Sequence, residues 1–154
     1  MKPKEERMPI LLVEDDPDDI EITRRAFQEN HINHPLYIVR DGAETIEFLK
    51  KTGRYMSDGN LPRPGLILLD LNIPRIDGRE VLRQIKQDPE LKYIPTVVLT
   101  TSKFDEDIMQ SYHSGANTFI TKSLHFKEFS KMIRIISQYW LEVAEIPGNP
   151  DHKK

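Results

Sequence analysis

Cysteine is absent from the 154 residues, which excludes a disulfide scaffold, a thiolate zinc site and a cysteine nucleophile. No apolar run approaches membrane-spanning length, and the opening MKPKEERMP lacks the apolar segment of a secretory signal. A cytoplasmic location with no membrane partner is the expectation. Neither sign of charge dominates: 22 Lys+Arg against 25 Asp+Glu leave a formal net charge of −3. The basic footprint of a phosphate-backbone binder is therefore missing, and no nucleic-acid partner is expected. No G-x-G-x-x-G or P-loop pattern occurs, which disfavours dinucleotide and nucleoside triphosphate binding. The five histidines (His31, His34, His113, His125 and His152) show no metal-ligand or triad spacing and are expected at the surface.

What is present is 31% charged and 38% hydrophobic residues, in a length that suits one soluble globular domain. Five short apolar runs rich in β-branched residues recur at 10–13, 36–39, 66–69, 96–99 and 118–120. Segments of helical spacing separate and follow them, at 19–30, 43–51, 79–87, 105–114 and 126–143. Five alternations of strand and helix predict βαβ units and a doubly wound parallel sheet. Continuous apolar runs such as LILL suit strands covered on both faces. Asp16-Pro17 offers a helix cap followed by proline in the first turn, where Asp18 and Asp19 suit the helix dipole. Residues 53–65 are too polar and too rich in Gly and Pro for either regular element. The expected domain covers 9–145, with flexible ends at 1–8 and 146–154.

In an open parallel sheet, ligands bind outside the carboxyl ends of the strands. Four of the five expected ends carry chemistry: Glu14-Asp15-Asp16, Asp70, Thr100-Thr101-Ser102 and Lys122-Ser123. Several carboxylates held close together repel, so they must take up protons or share a cation. Oxygen-only ligands favour a hard ion such as Mg²⁺, or Mn²⁺, which accepts phosphate oxygens as further ligands. A lysine and a hydroxyl opposite suit the remaining phosphate oxygens. An Asp carboxylate in such a place can act as nucleophile and become an aspartyl-phosphate. Each residue alone has a plainer reading: Asp70 as a turn cap, Thr100 as a strand former, Lys122 as a solvated charge. Their coincidence on four strand ends favours phosphoryl transfer onto Asp70.

The stretches ILLVEDD (10–16), LILLDLNIPRIDG (66–78), PTVVLTTS (95–102) and GANTFITKS (115–123) resemble the receiver domains of two-component response regulators, in order and in separation. The resemblance covers about residues 10–143. It implies a flavodoxin-like five-stranded sheet of order 2-1-3-4-5, and phosphorylation of Asp70 by a partner histidine kinase. It also implies a divalent metal held by Asp15, Asp70 and the main-chain carbonyl of Asn72, with Glu14 acting through water. Lys122 would pair with the phosphoryl group, Thr100 would swing its hydroxyl toward it, and Phe119 would turn inward as Thr100 moves. Asp16, Thr101 and Ser102 flank the site. A narrower resemblance, carried by LTTS, Lys122-Ser123 and QYWLEVAEIP (138–147), is to the small regulators that partner phytochrome-type histidine kinases in bacteria. The sequence departs from most receivers at Ser123, where the family usually has a proline in cis linkage.

A receiver filling nearly the whole chain is expected to signal through its surface. On the last helix Phe126, Phe129, Ile133, Ile136, Trp140 and Val143 fall within an arc of about 100° that suits packing on the sheet. Met132, Ile135 and Tyr139 extend the apolar surface beyond it and are the expected face of a homodimer. Two other functions fit the same topology. A phosphatase resembling the haloacid dehalogenase group would need an Asp two residues after the nucleophile, where this chain has Asn72. A flavin carrier would need a hydroxyl-rich loop after the first strand, where this chain has EDDPDD. A phosphoryl shuttle and a terminal regulator would read alike.

Overall fold

The computed structural model describes residues 3–148. Five parallel strands, β1 (Ile10–Val13), β2 (Leu36–Val39), β3 (Leu66–Leu69), β4 (Thr96–Thr100) and β5 (Thr118–Thr121), form one sheet of order β2-β1-β3-β4-β5. Five helices alternate with them: α1 (Pro17–Glu29), α2 (Gly42–Lys50), α3 (Gly78–Gln87), α4 (Asp105–His113) and α5 (Phe126–Ser137). Every residue of β1, β3 and β4 is buried, as their unbroken apolar runs require in a sheet covered on both faces. One face packs Ile20, Ala26 and Phe27 of α1 with Phe129, Ile133 and Ile136 of α5. The other packs Phe48 and Leu49 of α2 with Val81, Leu82 and Ile85 of α3.

Three helices begin at aspartates that fall at strand ends or in the loops after them. Asp16, Asp41 and Asp77 accept the N–H groups of Asp18, Glu44 and Arg79 at 2.8, 2.7 and 2.7 Å. Each satisfies one of the orphan donors of a first helical turn. Because these caps act from outside the apolar stripe, the helices start one or two residues before the hydrophobic spacing begins. The last two strands run one residue further than their apolar runs, and Thr100 therefore belongs to β4 itself.

The last helix differs from its expected course. Its α-helical part ends at Ser137, and Gln138–Val143 continue as a π-helical segment. The Ala144 N–H closes it on the Tyr139 carbonyl, five residues back, at 2.7 Å. The wider turn carries Val143 off the buried stripe, leaving it 67% exposed. Met132, expected on an outer face, is half-buried against the α1/α5 core, whereas Ile135 and Tyr139 are exposed.

Packed chain also reaches past both expected domain limits. Met8 is 2% exposed and Ile146 is 6% exposed, both within the α1/α5 core. His34, expected at the surface, is buried, with its Nδ1 2.8 Å from the Met8 carbonyl oxygen. Proximity to the N-terminal stretch covers it, which no local spacing reveals. His152 lies outside the described residues. The loop 53–65 holds a short 3₁₀ turn, Gly53–Tyr55, where Tyr55 packs edge-on against Phe48 at 5.2 Å.

Gly78 fixes how closely α3 approaches the end of β3. A Cβ there would fall 2.4 Å from the Asp70 carbonyl oxygen and 2.6 Å from the Leu71 Cα, both backbone atoms unable to step aside. Gly78→Ala should therefore lower stability by about 1–3 kcal/mol through overpacking, read as a lower denaturant midpoint.

Candidate functional site

Register brings the polar strand ends together. Val13 of β1 stands beside Leu69 of β3, so the next residues, Glu14 and Asp70, leave the sheet side by side. Thr100 stands beside Thr121, which sets Lys122 next to the end of β4, its N–H bonded to the Thr100 carbonyl at 2.7 Å. Asp70 is buried and its two carboxylate oxygens are separately engaged. Oδ1 accepts the Thr100 hydroxyl at 2.9 Å and the Asn72 N–H at 3.0 Å. Oδ2 accepts Lys122 Nζ at 3.1 Å. The same ammonium contacts Glu14 Oε1 and lies 3.1 Å from Asp19 Oδ2.

Burial is the dominant force on Glu14, which is 2% exposed. It pushes the carboxyl up to about 7 against the opposing pull of Lys122, and the Asp70 charge adds to the rise. Burial acts the other way on Lys122, but Asp70, Glu14 and Asp19 outweigh it and hold the ammonium well above the ordinary lysine value. Lys122 is thus a fixed positive charge beside the Asp70 oxygens.

Glu14, Asp15 and Asp70 each offer a carboxylate oxygen, and the three oxygens lie within 4.8 Å of one another. Asp15 is exposed at the mouth of the cluster. An all-oxygen donor set, open to water on one side, fits a hard divalent cation.

The other expected residues divide. Asn72 meets the site through its main-chain N–H, and its side-chain Nδ2 lies 3.5 Å from the Thr100 hydroxyl oxygen. Asp16 is drawn off as the α1 cap, although its N–H reaches Glu14 Oε2 at 3.3 Å. Thr101 is exposed. The Ser102 hydroxyl donates to Asp107 Oδ2. Phe119 is half-buried against the α2/α3 core, with its N–H donated to the Tyr112 hydroxyl at 3.0 Å. The Thr100 hydroxyl already rests on Asp70. No peptide bond among the described residues is cis, so Lys122-Ser123 is trans, and the Ser123 hydroxyl accepts the His125 N–H at 3.1 Å.

Two features escaped the sequence reading. Asp19, read as a dipole-favoured residue of the first helical turn, is a third carboxylate on Lys122. A signal for it existed: residues 19, 23, 26 and 27 form one stripe of α1, and the last three are buried. The second is a clamp. Arg79 grips Asp107 through Nε and Nη2, both at 2.8 Å, tying the start of α3 to the start of α4 beside Ser102. No local pattern pairs residues 28 apart on different helices.

A model of the response regulator receiver domain matches residues 10–134. The chain belongs to that family. Response regulator Rcp1 of Synechocystis sp. is 47% identical over 139 residues, which cover 90% of this chain and 92% of Rcp1. A crystal structure of the phosphorylated cyanobacterial phytochrome response regulator RcpA superposes with a TM-score of 0.86 at 43% identity, covering 92% of this receiver and 99% of that chain. The Mn²⁺-bound form of Rcp1 superposes with a TM-score of 0.84 at 46% identity, with the same coverage. Among the described residues of this receiver, no helix is long and apolar enough to cross a membrane.

The clamp predicts a pH dependence. Arg79 and the Ser102 hydroxyl hold the Asp107 carboxyl down at about 2, below its ordinary 3.8. A lowered acid stabilises the fold fully above its unfolded value and loses that contribution as pH falls through its folded one. Asp107→Asn should cost about 1 kcal/mol near neutral pH, allowing for the partly exposed Arg79. The unfolding midpoints of variant and wild type should converge as pH falls from about 4 to about 2.

Proposed function

We propose that the protein accepts a phosphoryl group on Asp70 from a histidine kinase, of the phytochrome type, and is a phosphoacceptor signalling domain rather than an enzyme acting on an external substrate. One observation carries this reading: the two oxygens of Asp70 are separately held, by Thr100 on one side and Lys122 on the other. Such a carboxylate is held in one orientation, from which an oxygen can attack phosphorus. An Asp70 oxygen forms the new bond to phosphorus while the bond from phosphorus to the donor breaks, its electron pair leaving with the donor. Lys122 offsets the charge on the phosphoryl oxygens, and the Thr100 hydroxyl is free to turn its hydrogen to one of them. Mg²⁺ held by Asp15 and Asp70, with Glu14 acting through water, would neutralise further phosphoryl charge; the Asn72 carbonyl is the additional ligand that the family resemblance suggests. Asn72 cannot serve as a general acid, which weighs against a phosphatase.

Phosphorylation adds about −1.5 to −2 charge and three acceptor oxygens beside Lys122 and Thr100. Thr100 and Phe119 then settle into a second packing that reshapes the surface of α4, β5 and α5. That surface exposes Met109 and Tyr112 on α4 and Ile135 on α5, with Tyr139 just beyond it. We infer a symmetric homodimer through it. The kinase assignment is supported by the similarity to RcpA, which is a phytochrome response regulator.

Incubation with Mg²⁺ and acetyl phosphate should add one phosphoryl mass to the wild type and none to Asp70→Asn, whose fold should persist. Equal uptake by both would refute the assignment. Sedimentation at tens of micromolar should show a dimer, shifted toward monomer by Ile135→Glu; a wild-type monomer, with and without a phosphoryl mimic, would refute the interface.

A further inference from the structure

The Lys122 ammonium has three N–H groups and three carboxylate partners: Glu14, Asp70 and Asp19. Its side chain is 9% exposed, so little water reaches it and each partner matters. The three are not equivalent. Glu14 and Asp70 are buried residues just past the ends of β1 and β3, where a carboxylate released from Lys122 would regain little water. The Asp19 side chain is 35% exposed, in the first turn of α1. Its carboxylate regains hydration if it lets go, and the positive end of the helix still favours it there.

We propose that Asp19 is a positioning residue that occupies Lys122 in the resting protein and is displaced from it by the incoming phosphoryl group. The inference rests on the phosphoacceptor role of Asp70. An entering phosphoryl oxygen needs an N–H from Lys122, and all three are taken. Asp19 is the partner that can give way. It also places a negative charge where a negatively charged donor must approach. Asp19 therefore restrains phosphorylation by competing for the ammonium, while Glu14 keeps the ammonium near Asp70.

The test compares wild type, Asp19→Asn and Asp19→Glu, each at saturating Mg²⁺ over a range of acetyl phosphate concentrations, with the phosphorylated fraction read by intact mass. Asp19→Asn should raise the initial rate at low ionic strength about two- to fivefold, the worth of a partly exposed ion pair. The gain should appear as a lower half-saturating donor concentration and shrink toward unity in 1 M salt, where the screening length falls to about 3 Å. Asp19→Glu, which keeps the charge, should stay near the wild-type rate. A gain cannot arise from misfolding, so the expected result is not open to that explanation. An Asp19→Asn rate equal to or below wild type, or a gain indifferent to salt, overturns the proposal and leaves Asp70 as acceptor. No phosphoryl group on the wild type overturns the acceptor reading as well.

Discussion

At the carboxyl edge of the sheet, one ammonium holds three carboxylates that would otherwise repel. Lys122, just past the edge strand β5, reaches Glu14 and Asp70 just past β1 and β3, and Asp19 on α1. Stripping one partner from a buried ion cluster leaves charge without compensation, at a cost of several kcal/mol. Replacing all of them with apolar side chains would often stabilise a fold, so stability is a poor reason for the cluster to exist. A stored excess of negative charge that a cation and a phosphoryl group can rearrange is a better one. The rise of Glu14 to about 7 comes chiefly from its burial, with the charge of Asp70 adding to it.

The loops around Asp70 are tied as firmly as the carboxylate. Gly78 lets the start of α3 press against the Asp70 carbonyl, and the Arg79–Asp107 clamp carries that constraint to α4. Ser102 joins the clamp two residues after Thr100. In the proposed switch, movement of the Thr100 hydroxyl toward a phosphoryl oxygen would reach the start of α4 through Ser102 and Asp107. A chain of packed and bonded groups with two arrangements is what a local charge change needs in order to act at a distance.

The end of the last helix departs from a regular α-helix. The π-helical segment after Ser137 widens the turn and carries Val143 outward, while the exposed Tyr139 meets the half-buried Trp140 with their rings edge-on at 5.0 Å. A straight continuation of α5 would have turned Val143 back toward the sheet.

Strands, helices and their order were legible because apolar periodicity is local, and a parallel sheet follows from strict alternation of the two elements. The site was legible for a related reason. Residues that end strands of such a sheet must emerge on one edge, so Glu14, Asp15, Asp70, Thr100 and Lys122 could be grouped before any distance was known. What lies one step off the strands was not legible. Asp19 and Arg79 reach their partners through the rotation and docking of helices, and Met8, His34 and Ile146 are buried by segments distant in sequence. Ser102 and Asp16 have the right composition, and each is taken by a nearer partner. The sequence determined which groups gather, because backbone periodicity sets where a strand ends. Only the tertiary structure decided which hydrogen bonds each group makes, because that choice depends on distances between elements that no local spacing encodes.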